Sequence, residues 1–170
     1  MATFSPEDLR GILPPMVTPF HTADEAIDED ALRQDIRYMI EVGKVHGIVV
    51  GGSTGEGHTL TTEELRHLVR ITVEEVDGEL PVVAGIIVDS TRQAVERVRA
   101  LSDIDIAALQ VTPVHYLFRP NDDMMQQHFA TRAEASPVPL FIYNVVPWSY
   151  LSPQLLTTII TEVDGVMGVK

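Results

Sequence analysis

The chain alternates short, nearly unbroken apolar runs with longer segments whose apolar positions recur every three or four residues. The runs fall at residues 15–20, 47–51, 81–87, 107–112, 139–144 and 166–170. Continuous hydrophobicity over so few residues is the pattern of strands covered on both faces, as in parallel sheets. The intervening segments open on good N-caps: Asp28 before Glu29, Thr61 with Glu64 three residues on, Ser90 with Gln93, Asn121, and Ser152 ahead of Pro153. A side-chain oxygen at such a position accepts from a free amide of the first helical turn, and a proline just inside has no amide to lose. After Thr61, the residues Leu65, Leu68, Val69, Thr72, Val73 and Val76 form one stripe, with Glu63, Arg66, Arg70 and Glu74 on the opposite side.

Strands and helices in alternation predict an α/β fold of parallel βαβ units, either a doubly wound open sheet or a closed (β/α)8 barrel. A dinucleotide-binding open sheet would carry Gly-x-Gly-x-x-Gly after its first strand. Here Phe20 is followed by His21-Thr22-Ala23-Asp24-Glu25, with no glycine. No linker or low-complexity tract interrupts the series, so residues 1–170 read as a single domain or a piece of one.

Composition narrows the chemistry. A chain that is 45% hydrophobic can build a sizeable core. No run approaches the ~20 apolar residues of a membrane span, and the first ten residues lack the basic start and apolar core of a signal peptide, so the expectation is a cytoplasmic protein without a membrane partner. The absence of cysteine removes disulfides and thiolate nucleophiles. A net charge of −13 argues against nucleic acid as a partner. His21, His46, His58, His67 and His128 show no His-x-His or His-x-x-x-His spacing, so no metal site is expected.

Three strand ends carry candidate chemistry. Gly51-Gly52-Ser53-Thr54-Gly55-Glu56-Gly57 ends the second run. Its glycines let successive amides point into one concavity suited to a carboxylate or phosphate, although a plain turn explains glycines equally well. Tyr143-Asn144 ends the fifth run, as a pocket mouth or as a satisfied core tyrosine. Lys170 ends the sixth. At the carboxyl end of a barrel strand a lysine would face the active-site side, and burial would lower its pKa enough to make it a nucleophile; a surface lysine just past a strand is the alternative.

Gly-Ser-Thr-Gly-Glu, Thr112-Pro113, Tyr143-Asn144 and Gly168-Val169-Lys170, in this order on successive strand ends, resemble the dihydrodipicolinate synthase and N-acetylneuraminate lyase family of class I pyruvate-dependent aldolases. The opening run from Gly11 to Phe20 is similar to that family's first strand. The resemblance implies a (β/α)8 TIM barrel, of which this chain supplies about the first six strands, with no cofactor and with assembly as a homo-oligomer, dimer or tetramer. It further implies that Lys170 forms an imine with pyruvate or a pyruvate-derived 2-oxo acid, as a lyase, aldolase or hydratase-aldolase. Tyr143 would move protons, Ser53, Thr54 and Gly55 would hold the substrate carboxylate, and Glu56 would stabilise the turn.

Two departures from the family pattern bear on the second substrate. Thr112-Pro113 is followed by Val114-His115-Tyr116 where the synthases have two tyrosines, so either His115 or Tyr116 stands in for the relay tyrosine. Val145-Val146-Pro147-Trp148-Ser149-Tyr150 contains no arginine, the residue that in the synthases grips the aldehyde's carboxylate. The missing arginine points away from dihydrodipicolinate synthesis itself, toward an acceptor side lined by Leu117, Phe118, Trp148 and Tyr150, with surface packing the alternative role for each of these and a polar wall residue the alternative for His115. A complete barrel needs eight units and ~250 residues, so residues beyond 170 are expected, and an α-carboxylate beside the lysine would oppose a lowered pKa. The alternatives are a non-catalytic barrel that binds a 2-oxo acid, or an inactive fragment.

Overall fold

The computed structural model describes residues 4–170. Ten principal elements follow one another as α1 (Glu29–Glu41), β1 (Ile48–Val50), α2 (Thr62–Val76), β2 (Val82–Ile86), α3 (Thr91–Ala100), β3 (Ala108–Val111), α4 (Asp122–Ala135), β4 (Leu140–Ile142), α5 (Pro153–Glu162) and β5 (Val166–Val169). The five strands form one sheet in chain order, and each adjacent pair is parallel. This is the first part of a (β/α)8 barrel, with helices on the outer face of the sheet.

The five expected N-caps each close a helix. Asp28, Ser90, Asn121 and Ser152 accept from the amides of Ala31, Gln93, Met124 and Leu155, and Thr61 with Glu64 forms a reciprocal capping box. Arg66 lies on the face opposite the apolar stripe, as expected. It reaches across to α3, donating to the Ala100 carbonyl and pairing with Asp103 at 2.5 Å and 2.7 Å.

The first expected strand, residues 15–20, does not form as such. It is reduced to isolated bridges, an antiparallel one between Phe20 and Ile27 and, beside the sheet, a parallel one between Pro15 and Val49, held by Met16 N to Val49 O and Val49 N to Pro14 O at 2.8 and 3.0 Å. Pro14, Pro15 and Pro19 lack the amides that a continuous ladder needs. The segment still lies beside β1, so six strand positions are occupied by five ladder strands and one bridge.

The two faces of the sheet bury different clusters. Ile48, Val50, Ala84, Ile86, Leu109, Val111, Leu140 and Ile142 pack against the helices in the main core. Val49, Val83 and Ala108 form a smaller cluster with Leu13 and Phe141 on the inner face. Period-two alternation along each strand produces the division. Glycines occur on the inner face where backbone passes close: a Cβ on Gly85 would meet Gly51 O at 2.3 Å, and one on Gly57 would meet the same oxygen at 1.8 Å.

Helix α4 buries Met125, His128, Phe129 and Arg132, a regular helical stripe with polar residues at two of its four positions. Arg132 Nη1 donates to Thr112 O at 2.8 Å, and the guanidinium carbon lies 5.6 Å from the Phe129 ring centre. His128 Nδ1 pairs with the Thr91 hydroxyl at 2.7 Å. Burial first, and the neighbouring Arg132 charge second, push His128 down to about 2.

Two outcomes follow from this packing. Gly85→Ala should lower stability by about 1–3 kcal/mol, as overpacking does, in a denaturant melt. His128 stays neutral when folded, whereas the unfolded chain takes up a proton below about pH 6.5. Stability should therefore be independent of this group above that pH and fall below it, by up to about 1.4 kcal/mol per pH unit. Denaturation of wild type and His128→Gln between pH 7 and pH 4.5 checks the sign, because the variant should show the shallower loss.

Candidate active site

The site is built from the carboxyl ends of the strands, where the inner-face alternation continues into the loops. Gly85, Gln110, Phe141 and Gly168 lie side by side in register. Two positions further on, past the Ile142–Val169 pair, come Tyr143 and Lys170. The β4–β5 ladder slips by one residue between Leu140 and Phe141: Leu140 pairs with Val166, but Phe141 pairs with Gly168, leaving Met167 as a bulge. Main-chain bonds from Lys170 N to Ile142 O at 2.9 Å and from Asn144 N to Lys170 O at 3.1 Å continue that shifted register. Lys170 thus stands opposite Tyr143, with its Nζ 4.3 Å from the centre of the phenol ring.

Tyr143 is 8% exposed, with its amide bonded to Val111 O at 2.7 Å. Lys170 itself is exposed. The burial expected of this lysine is therefore not supplied by residues 4–169. What they supply is the position of the amine over a ring face that attracts cations. Asn144 takes a structural part: its side chain accepts from Leu151 N at 2.9 Å and donates to Leu151 O at 3.2 Å, bracing the loop before α5. Its amide does not line a pocket mouth.

The glycine-rich turn after β1 is held from several sides. Thr18, buried beside β1, donates through its hydroxyl to Gly55 O at 2.7 Å. Glu56 N bonds Ser53 O at 3.2 Å and Gly57 N bonds Gly52 O at 3.0 Å. Glu56 adopts a left-handed backbone, φ 52°, and its carbonyl accepts from both the amide and the hydroxyl of Thr59. From α3, Arg97 donates to Gly57 O at 2.8 Å and to Leu60 O. Ser53 and Thr54 are exposed at the crest of the turn and Gly55 is buried beneath them.

On the far side, the loops after β3 and β4 are stitched together. Trp148 Nε1 donates to His115 O at 2.6 Å and Ser149 Oγ to Val114 O at 2.7 Å. His115 Nε2 lies 3.1 Å from Asp89 Oδ1, and its Nδ1 lies 3.1 Å from Pro113 O. Both nitrogens thus lie within hydrogen-bonding distance of an oxygen. The ring bridges the β2 and β3 loops. Tyr116, Leu117, Phe118, Trp148 and Tyr150 are all exposed around it.

Four residues that the motif reading passed over shape the site. Asp89 is an acid directly after β2, and Gln110 is a polar residue inside an apolar strand. Arg97 interrupts the buried stripe of α3 between Ala94 and Val98. Each of these was a visible break in pattern. Thr18 carried no local signal, since its role depends on where Gly55 comes to lie. A cavity of about 640 Å³ between α4 and α5, lined by Gln126, Ala130 and Glu162 among others, contains none of the site residues.

Comparison with known proteins gives a consistent picture. The model of the dihydrodipicolinate synthetase family matches residues 8–170. The 4-hydroxy-tetrahydrodipicolinate synthase of Methanothermobacter thermautotrophicus is 38% identical over 164 residues, covering 95% of this chain and 56% of that protein. The crystal structure of a putative dihydrodipicolinate synthetase from Pseudomonas aeruginosa superposes with a TM-score of 0.87 at 32% identity, over 94% of this chain and 55% of the other. N-acetylneuraminate lyase from Mycoplasma synoviae shares the fold, with a TM-score of 0.84 at 22% identity over 96% of this chain and 55% of that one. The chain spans just over half the length of the relatives it matches. With the strand-end motifs and the parallel βα series in the order that the resemblance implied, and with a family match running from residue 8 to Lys170, this chain belongs to the dihydrodipicolinate synthetase family.

Proposed function

We propose that the full-length protein is a Schiff-base-forming lyase or aldolase acting on pyruvate or a pyruvate-derived 2-oxo acid, with Lys170 as the imine-forming residue. The observation that carries this reading is the Lys170 amine, 4.3 Å from the centre of the Tyr143 ring, at the same end of the sheet as the Ser53-Thr54 turn. In this reading the neutral amine attacks the keto carbon, a C–N bond forms, and the former carbonyl oxygen leaves as water. The phenol of Tyr143 supplies and recovers the protons that these steps require. The imine then withdraws electrons, so loss of a proton from the adjacent carbon yields an enamine nucleophile, or a carbon–carbon bond breaks in the reverse direction. Ser53 and Thr54, with the amides around Gly55, hold the substrate carboxylate. Completion of an eight-stranded barrel beside β5 would provide the desolvation that attack by the amine demands.

The second substrate follows from what surrounds the amine. The 145–150 loop has no arginine, and a proton relay at this place falls to Tyr116 or to His115, whose ring is oriented by Asp89. The exposed rings of Phe118, Trp148 and Tyr150 favour an acceptor with an aromatic or apolar side. A carboxylate-bearing aldehyde is the second reading, favoured by the names of the related 4-hydroxy-tetrahydrodipicolinate synthases.

Borohydride reduction in the presence of pyruvate should attach a reduced adduct at Lys170, read by peptide mass, and Lys170→Ala should abolish it. A folded full-length protein that takes no adduct would sink the proposal; stabilisation by pyruvate without turnover would mark a binding barrel. Tyr143→Phe should reduce the rate of imine formation by about 10²-fold, the usual scale of a lost general acid–base group. A panel of aldehydes, half aromatic and half carboxylated, decides the acceptor: preference for the carboxylated set would favour synthase chemistry.

A further inference from the structure

The arginine behind the glycine-rich turn has a role that its burial and bonding define. Arg97 projects from the core-facing stripe of α3 and is 7% exposed. Instead of a carboxylate, its guanidinium meets two main-chain carbonyls of the turn, those of Gly57 and Leu60. Burying a guanidinium is costly, and hydrogen bonds to carbonyl oxygens offset part of that cost. Gly57, whose position excludes any side chain because a Cβ would collide with Gly51 O, is one of the two residues it holds.

The carbonyls of Gly52, Ser53, Gly55, Glu56, Gly57 and Leu60 are turned toward protein donors. None of these bonds consumes the N–H of Ser53, Thr54 or Gly55. The N–H of a peptide points opposite to its C=O, so tying down the carbonyls of Gly52 and Ser53 turns the amides of Ser53 and Thr54 away from those bonds, as donors for an anion at the crest. A buried positive charge behind that crest adds attraction that water screens weakly, in a chain whose overall charge is −13.

We propose that Arg97 is a positioning residue for carboxylate binding: it clamps the carbonyl side of the Ser53-Thr54 turn and gives that turn a local positive charge. This rests on the reading of the turn as the substrate-carboxylate site. Arg97 does not touch the substrate. It acts through the main chain of Gly57 and Leu60.

The test separates carboxylate recognition from imine chemistry. In full-length protein carrying Lys170→Ala, where no imine can form, binding of pyruvate and of its neutral amide, pyruvamide, is measured by ligand-detected NMR titration. Adding Arg97→Met should weaken pyruvate about tenfold, the scale of one lost charge-assisted hydrogen bond, and leave pyruvamide unchanged. Arg97→Lys, which keeps the charge but not the fork, should fall between the two, and it decides the question alone if the methionine variant gives no cooperative melt. Equal weakening of both ligands would mark a merely structural residue and overturn the proposal, as would unchanged pyruvate affinity. Borohydride trapping in the Lys170 protein is read in parallel. Absent trapping with selective pyruvate binding retained would sink the imine reading and leave Arg97 standing, whereas pyruvate that binds to neither form would sink both.

Discussion

The register between β4 and β5 is the constraint on which the candidate site depends. Because Met167 bulges out of the ladder, Phe141 pairs with Gly168, and Lys170 falls opposite Tyr143. A regular ladder from Leu140 and Val166 would set Val169 there and turn the lysine toward the helices, since a one-residue slip moves every later side chain to the other face. The glycine at 168 belongs to the same arrangement. A Cβ at that position would rest in ordinary contact, 3.4 Å from the Phe141 ring, directly beneath the Lys170–Tyr143 pair.

The opposite wall of the site rests on close backbone packing. Gly51, Gly57 and Gly85 converge so tightly around the Gly51 carbonyl that a single methyl group would displace one chain segment. Thr18 and Arg97 grip the same turn from the bridge segment beside β1 and from α3. Ser53 and Thr54 are therefore displayed on a backbone fixed from below. Rigid presentation of loop residues by a packed scaffold is how barrels place chemistry at the carboxyl ends of their strands.

Two arginines, Arg97 and Arg132, enter the protein interior from successive helices and end on backbone carbonyls near strand ends. Arg132 leaves its Nε and Nη2 without partners among the described residues, beside an unpartnered His128 Nε2. Such groups cost stability, and what they secure is the position of the Thr112 carbonyl just before the loop that bears His115. That loop is joined in turn to the β2 loop through Asp89 and to the β4 loop through Trp148. The acceptor side is thus a linked set of loops presenting exposed aromatic rings.

Much of the fold was legible in order along the chain. The five N-caps, the helical stripe of α2 and five of the six short apolar runs rest on residues near one another in the chain, and these formed as local chemistry dictates. The strand-end motifs at Ser53, Thr112, Tyr143 and Lys170 were equally visible, because a polar group at the end of an apolar run breaks its pattern. The run at 15–20 misled because apolar character was weighed above its prolines, which cannot donate to a ladder. His128 and Arg132 were hidden in a stripe of mixed polarity, and the use of Asn144 as a brace for Leu151 depended on a loop returning. By itself, then, the sequence determined the element order, the caps and the identity of the groups at each strand end, all properties of neighbouring residues. Only the tertiary structure decided which of those groups meet, through the β5 bulge, the packing around the Gly51 carbonyl and the reach of Arg97 and Asp89, because register and burial depend on contacts between residues far apart in the chain.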